Sequence, residues 1–311
     1  MHKTLNMKLT RLIPVLFVFI LAFSASLHAQ SQSGVDSTGL PGDQFSLQGA
    51  LQLFKDAASI EDFEKALNVQ DNHVNNLDLN GDGNTDYIKV ISKMDKDNHV
   101  FILQVPVSET ESQDVAVIEL EKTGKESAVI QILGDEDIYG EQVIVEPDSG
   151  EEGAFTEPAI SSALSGPAAS YDEQPSLPIV VNVWLWPSVR FVYAPGYHPW
   201  VSPWRWAFYP VWWKPWHPLA WHLWHPFRIH YHRPFVVVHT HRVVHAHVVY
   251  TPFRTHSVTV RTRHSVAINN YRVTRTRTTV TGPRGHTTTV KKTTIKGPRG
   301  NKATKVKVRR H

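Results

Sequence analysis

The 311-residue chain contains no cysteine. That excludes disulfides, thiolate nucleophiles, cysteine-based zinc sites and a thioether lipid anchor. Two further absences are regional: no Asp or Glu occurs after Glu173, and no Trp occurs before Trp184. Beyond residue 29 no run reaches the roughly 18 unbroken apolar residues that a spanning helix needs.

What is present begins with a leader. Lys3, Lys8 and Arg11 precede an apolar stretch at 12–23, and small residues fill 24–29. This is the three-part pattern of a secretory signal, too short for a comfortable membrane span. The reading is a signal peptide at 1–29, cut after Ala29, then a flexible N-terminus at 30–44. The expected destination is the periplasm, the cell surface or the medium.

Charge divides the rest. All 29 acidic residues fall between Asp36 and Glu173 against seven lysines, a net −22, whereas residues 174–311 carry 22 Lys and Arg with no acid, a net +22, and 14 histidines. Such halves attract each other, within one chain or between chains, and attract charged third parties. Between them, 148–178 is rich in Pro, Gly, Ser and Ala and reads as a linker.

The acidic half, 45–147, reads as a small α+β domain. Phe45, Leu47, Leu51, Phe54 and Ala58 recur at roughly helical spacing, and Ser59-Ile60-Glu61-Asp62 is a capping-box pattern that starts a second short helix through Phe63, Ala66 and Leu67. Strand-like runs follow at 87–92, 99–107, 115–121, 127–133 and 142–146, with breaks short enough for hairpins. Ile118, Leu120, Ile130 and Ile132 alternate with Glu119, Glu121 and Gln131, which predicts one buried and one wet face. Helices on a mainly antiparallel sheet follow.

Within this half, DLNGDGNTD at 78–86 places Asp78, Asn80, Asp82 and Asp86 at loop positions one, three, five and nine. Gly83 sits at six, and Asn84 at seven offers its carbonyl. Ca²⁺ wants six to eight oxygens, and this spacing wraps a chain around one. The loop resembles EF-hand, dockerin and integrin-type calcium loops. Lys89 stands where an EF-hand has its bidentate glutamate, and a strand follows instead of a helix. The expectation is a weak structural site, of the order of 10⁻⁴ to 10⁻³ M.

The basic half opens with a Trp/Pro/His-rich segment, 179–253. Its proline density forbids regular helix and weakens strands, so it reads as largely irregular or disordered. Tryptophans with cations between them suit sugar or base stacking, a peripheral membrane contact, or burial against one another or on the acidic domain. His239, His241, His245 and His247 form H-x-H pairs that would share one face of a strand and chelate Zn²⁺, Cu²⁺ or Ni²⁺. No acid in their own half backs them. The basic low-complexity tail, 254–311, holds SVTVRTRH, which suits a strand, an imperfect repeat around GPRG at 282–285 and 297–300, and KATKVKVRRH, which reads as disordered.

The leader, NNLDLNGDGNTDYIKV, the Trp/Pro block with WPSVRFVYAPGY and WVSPWRW, the H-x-H run and the GPRG-containing end together resemble a group of uncharacterised exported proteins of Bacteroidota. That resemblance implies a cell-envelope or secreted setting and no activity. No nucleophile, base and orienting acid stand together, so an enzyme is not expected. The expected function is an interaction protein: a calcium-stabilised acidic domain with a cationic aromatic tail that binds lipopolysaccharide, acidic polysaccharide or extracellular nucleic acid. The alternative is Zn²⁺ or Cu²⁺ binding or buffering through the H-x-H pairs.

Overall fold

The structure, a computed structural model, describes residues 37–148, 180–281, 287–296 and 302–310. The expected signal peptide, nearly all of the expected linker and both GPRG repeats lie outside these residues.

Residues 37–44, expected to be flexible, are instead tied down. The buried Asp43 carboxylate accepts from Ser37 Oγ and Thr38 N–H, both at 2.6 Å, and from Gly39 N–H at 3.1 Å. Helices α1 (Leu47–Asp56) and α2 (Ile60–Leu67) then form where the apolar period places them. Ser46 and Ser59 cap them, accepting from the N–H of Gly49 and Asp62 at 3.0 and 3.1 Å.

Strands β1 (Lys89–Asp95), β2 (Asn98–Pro106), β3 (Ser112–Gly124), β4 (Ser127–Gly134) and β5 (Val143–Pro147) form an antiparallel meander, with the short helix α3 (Glu136–Tyr139) before β5. The architecture is α+β. One sheet face, with Phe101, Ile118, Leu120 and Ile132, packs on Leu51, Phe54 and Phe63 of the two helices. Phe54 meets Phe63 edge-on at 5.3 Å.

The basic half completes this sheet. Strand β6 (Phe235–Val238) pairs antiparallel with β5, Ile144 opposite Val238 and Pro147 opposite Phe235. At the other edge, Ser92 N–H donates to Trp200 O at 2.7 Å and Ser202 N–H to Val90 O at 3.1 Å. The second half thus supplies the last strand of the sheet at one edge and bonds to β1 at the other. Helices α4 (Pro187–Val192), α5 (Trp221–His230), α6 (Val244–Tyr250) and α7 (Val258–Asn270) also come from it. Between α4 and α5 the proline-rich chain is irregular, as its composition predicts, but proline does not forbid helix throughout the segment: α5 is helical with Pro226 inside it, anchored by the buried Trp224 and Arg228.

Two local expectations fail. SVTVRTRH lies in and before α7, not in a strand, because Ser257 caps it by accepting from Val260 N–H at 3.2 Å and Glu111 of the acidic half accepts from Thr259 N–H at 3.1 Å. A distant carboxylate at a helix start outweighs local β propensity. The last residues are also not disordered: β7 (Arg272–Thr281), β8 (Thr287–Lys296) and β9 (Lys302–Arg310) form a three-stranded antiparallel sheet. The Lys/Val alternation of 305–308 already has the two-residue period of a strand. Among the described residues, no helix is long and apolar enough to cross a membrane.

Candidate metal centre

The second face of the main sheet is not wet. Val117, Glu119 and Glu121 alternate along β3, and α6 lies over them with the chain on either side of it. Val243, Ala246 and Tyr250 form a second apolar cluster with Val100, Ile102, Val117, Leu133 and Ile144. Glu119 and Gln131, expected in solvent, are buried. Carboxylates carried into an apolar layer need partners, and the basic half supplies them.

Glu119 is the deepest of these groups, its side chain fully buried. One carboxylate oxygen meets His241 Nε2 at 2.6 Å and the other meets His247 Nδ1 at 2.7 Å. His241 stands in the loop after β6, and His247 is in the first turns of α6. The two rings lie edge to face, with centroids 4.6 Å apart. The hydrogen bond to Glu119 raises the His247 pKa above the ordinary histidine value, against a smaller opposing effect of burial. The candidate ligand atoms of Glu119, His241 and His247 all lie within 4.8 Å of one another, the one such group of His and acidic side chains among the described residues. This group can hold a metal ion.

Two residues along β3, Glu121 closes the start of α6: Oε1 accepts from the N–H of His245 and Ala246 at 2.6 and 2.9 Å. A carboxylate there satisfies orphan donors and meets the positive end of the helix dipole. Next to it, Gln131 donates to Thr240 O at 2.9 Å and accepts from Arg242 N–H at 2.8 Å, while Arg242 Nε reaches Glu146 at 3.1 Å. Asp114 accepts from Gln104, Thr255 N–H and Tyr250 OH at 2.8, 2.8 and 3.0 Å. Arg254 pairs with Asp135 and Arg261 with Asp137, at 2.9 and 2.8 Å. Burial lifts the Asp135 carboxyl to about 6 despite Arg254. A cleft of about 230 Å³, lined by His247, Tyr250, Arg254, Asp135 and Glu136, opens beside the group.

The four histidines are therefore not one strand face. Residues 244–250 are helical, so the two-residue period no longer aligns them. His241 and His247 converge on Glu119. His245, 75 % exposed, turns to Glu121 at 3.2 Å, and His239 is exposed at the bend after β6. The acid that the histidines lack in their own half comes from the other.

The 78–86 loop folds on itself. Asp78 accepts from the N–H of Gly81, Asp82 and Gly83 at 2.6, 3.1 and 3.0 Å, Asn80 from Asp82 N–H and Asp82 from Asn84 N–H, both at 2.8 Å. Gly81 and Gly83 hold φ of +73° and +82°, which side chains resist. Asp86 is buried, and desolvation with the nearby charges of Asp78 and Asp82 pushes its carboxyl up to about 7. Residues of the basic half close over the loop: His217 Nδ1 lies 2.8 Å from Gly83 O, and the Arg263 guanidinium bonds Leu79 O beside Gly81.

The sequence alone does not single out Glu119, Glu121 or Asp114 as site residues. For the two glutamates the signal is acid placed mid-strand where every second position is apolar, in a chain holding a matching excess of cations elsewhere. Compared with protein-family models, with curated proteins and with solved structures, the chain matches none.

Proposed function

We propose that the protein is an exported, non-enzymatic metal-binding protein that holds one transition-metal ion, Zn²⁺ or Cu²⁺, between its two halves. The observation that carries this is the convergence of His241 and His247 on the buried Glu119. Two imidazoles and one carboxylate suit Zn²⁺ or Cu²⁺, and three protein ligands leave a position for water or a small ligand. Ca²⁺ and Mg²⁺ prefer all-oxygen sets and are disfavoured here. With ligands drawn from β3, the 239–243 loop and α6, a bound ion would hold the acidic and basic halves together.

Calorimetric titration of Zn²⁺ and Cu²⁺ into the full chain tests this reading. One equivalent is expected to bind, with His241→Ala and His247→Ala each losing at least about tenfold in affinity, the scale of a lost ligand or its support. His239→Ala and His245→Ala, outside the group, should bind as the parent does. Equal affinity across all four variants rejects the site.

A second reading concerns Ca²⁺ at Asp78, Asn80, Asp82, Asn84 and Asp86, supported by the raised Asp86 carboxyl beside two further carboxylates. A cation would relieve that repulsion. At about 10 mM calcium, a site of the expected weakness would stabilise the fold by about 1.4–2.7 kcal/mol. Identical melting in calcium and in chelator removes it.

A further inference from the structure

Residues 200–217 form a loop that the metal centre does not use. One foot is fixed on Glu64, buried in α2, whose carboxylate accepts from Trp200 Nε1 and Ser202 Oγ at 3.0 and 2.9 Å. The other foot is fixed on the 78–86 loop, where Thr85 N–H donates to Trp216 O at 2.7 Å. Between the feet the chain doubles back, with Phe208 N–H donating to Arg205 O at 2.8 Å and Arg205 N–H to Phe208 O at 3.1 Å. The inner rings of Tyr209 and Trp213 pack on the buried Tyr87, with centroids 5.6 and 5.2 Å from its own. The outer side chains are left to water: Val211 is 96 % exposed, Phe208 60 % and Trp212 46 %. Among the large hydrophobic residues of 37–148, by contrast, only Met94 is exposed. The loop is thus anchored by its inner contacts while it holds three apolar side chains out of the protein, an arrangement that marks an interaction site.

We infer that this tip, with Phe208, Val211 and Trp212 at its surface, inserts into the headgroup layer of an anionic phospholipid bilayer. Apolar and aromatic side chains flanked by Lys and Arg are the chemistry of interfacial anchoring, the rings and aliphatic groups leaving water while the cations stay at headgroup level. The cations are in place. Arg205 lies over the Phe208 ring at 4.4 Å and Lys65 over Trp212 at 5.6 Å, and the exposed Lys214 stands two residues beyond Trp212. None of the three is ion-paired with another described residue. The loop itself has no acid; Glu61 and Asp82, acids near it, stand by the inner rings of Tyr87 and Tyr209. A sugar polymer is held by stacking on flat ring faces, and Val211, the most exposed of the three, has none. A protein partner needs roughly 800 Å² on this side, more than three side chains offer. A bilayer needs only that a few apolar groups reach its acyl boundary.

The test uses the full chain in chelator, with vesicles of phosphatidylglycerol and phosphatidylcholine and with vesicles of phosphatidylcholine alone. The double variant Phe208→Ser, Val211→Ser is expected to lose at least about tenfold in partition onto the anionic vesicles. The control Val258→Ser, Val266→Ser, which removes two exposed valines of α7, is expected to lose less than about twofold. Arg205→Gln, Lys214→Gln is expected to lose about fivefold or more on the anionic vesicles and little on the neutral ones. Because the chain has no cysteine, Val211→Cys and Val266→Cys each accept a single environment-sensitive dye. Only the dye at position 211 is expected to shift to the blue on adding anionic vesicles. Equal losses in the two serine variants, equal dye shifts at the two positions, or no shift at 211 would overturn the proposal. Equal partition of the parent onto both kinds of vesicle would overturn the choice of an anionic surface. Self-association abolished by Phe208→Ser, Val211→Ser, or tighter binding to polygalacturonate than to vesicles, would give the tip a different partner and overturn the bilayer. None of these substitutions touches Glu119, His241 or His247, so the outcome is independent of the metal reading.

Discussion

His99 illustrates how a single side chain sets a pH limit on this fold. It is buried in β2 with its ring edge-on to Tyr193 at 5.0 Å, and burial holds its pKa down to about 4. The folded protein keeps the imidazole neutral, while the unfolded chain protonates it near 6.5. Its folded pKa is the lower one, so stability is intact above about pH 6.5 and is lost as pH falls toward 4, by up to about 3 kcal/mol. His99→Phe is expected to flatten that decline in urea unfolding between pH 7 and 4; parallel curves for parent and variant would show that His99 does not carry it. Glu119 sets a different dependence. Glu119→Ala leaves His241 and His247, both part-exposed and able to lose their protons, without their shared partner and is expected to cost about 1–3 kcal/mol in metal-free protein, read as a shift in the urea midpoint.

At the level of elements, α6 is held by what lies beneath it. Seven residues form a marginal helix, and its N-terminus is capped by Glu121 of β3 instead of by its own sequence. Glu121→Ala is expected to cost about 1–2 kcal/mol and to raise amide exchange in 244–250 before it does so in β2 or β3. An unchanged exchange pattern would place the support of α6 elsewhere. The same contrast separates what the sequence reveals from what it conceals. Helices α1 and α2, the five-strand meander and the Ser59 cap rest on local periodicity and local hydrogen bonds, and they were readable. Residues 244–250 and 258–264 look strand-like alone, and their helices start where Glu121 and Glu111, more than a hundred residues earlier, meet their first N–H groups, joined in the second by the local cap Ser257. His241 and His247 were identifiable by their spacing; Glu119 was not, because its meaning depends on a contact between halves.

For the molecule as a whole, the acidic half is not a finished unit. Its second face, with Ile102, Val117 and Leu133, is covered by residues 243–250, and the edge of β5 by β6. Proteolysis in 149–179, chosen because its composition reads as a linker, is expected to yield two fragments that co-elute in native gel filtration and separate only in denaturant. Fragments that part at once in dilute buffer would mean that the halves do not share a core. Raising salt alone should not divide them, since apolar burial, unlike exposed ion pairs, is not screened.

The pairing of Ile144 with Val238 also bears on the order of events during folding. Strand β5 lies far ahead of β6 in the chain, and contacts so far apart along it form slowly. Throughout that interval an open strand edge and an uncovered apolar face would invite neighbouring nascent chains to associate. The mid-strand glutamates stand on that face during the wait, where their negative charge would oppose association of unfinished copies. The carboxylates that pair with histidines and arginines in the finished fold would thus act beforehand as gatekeepers.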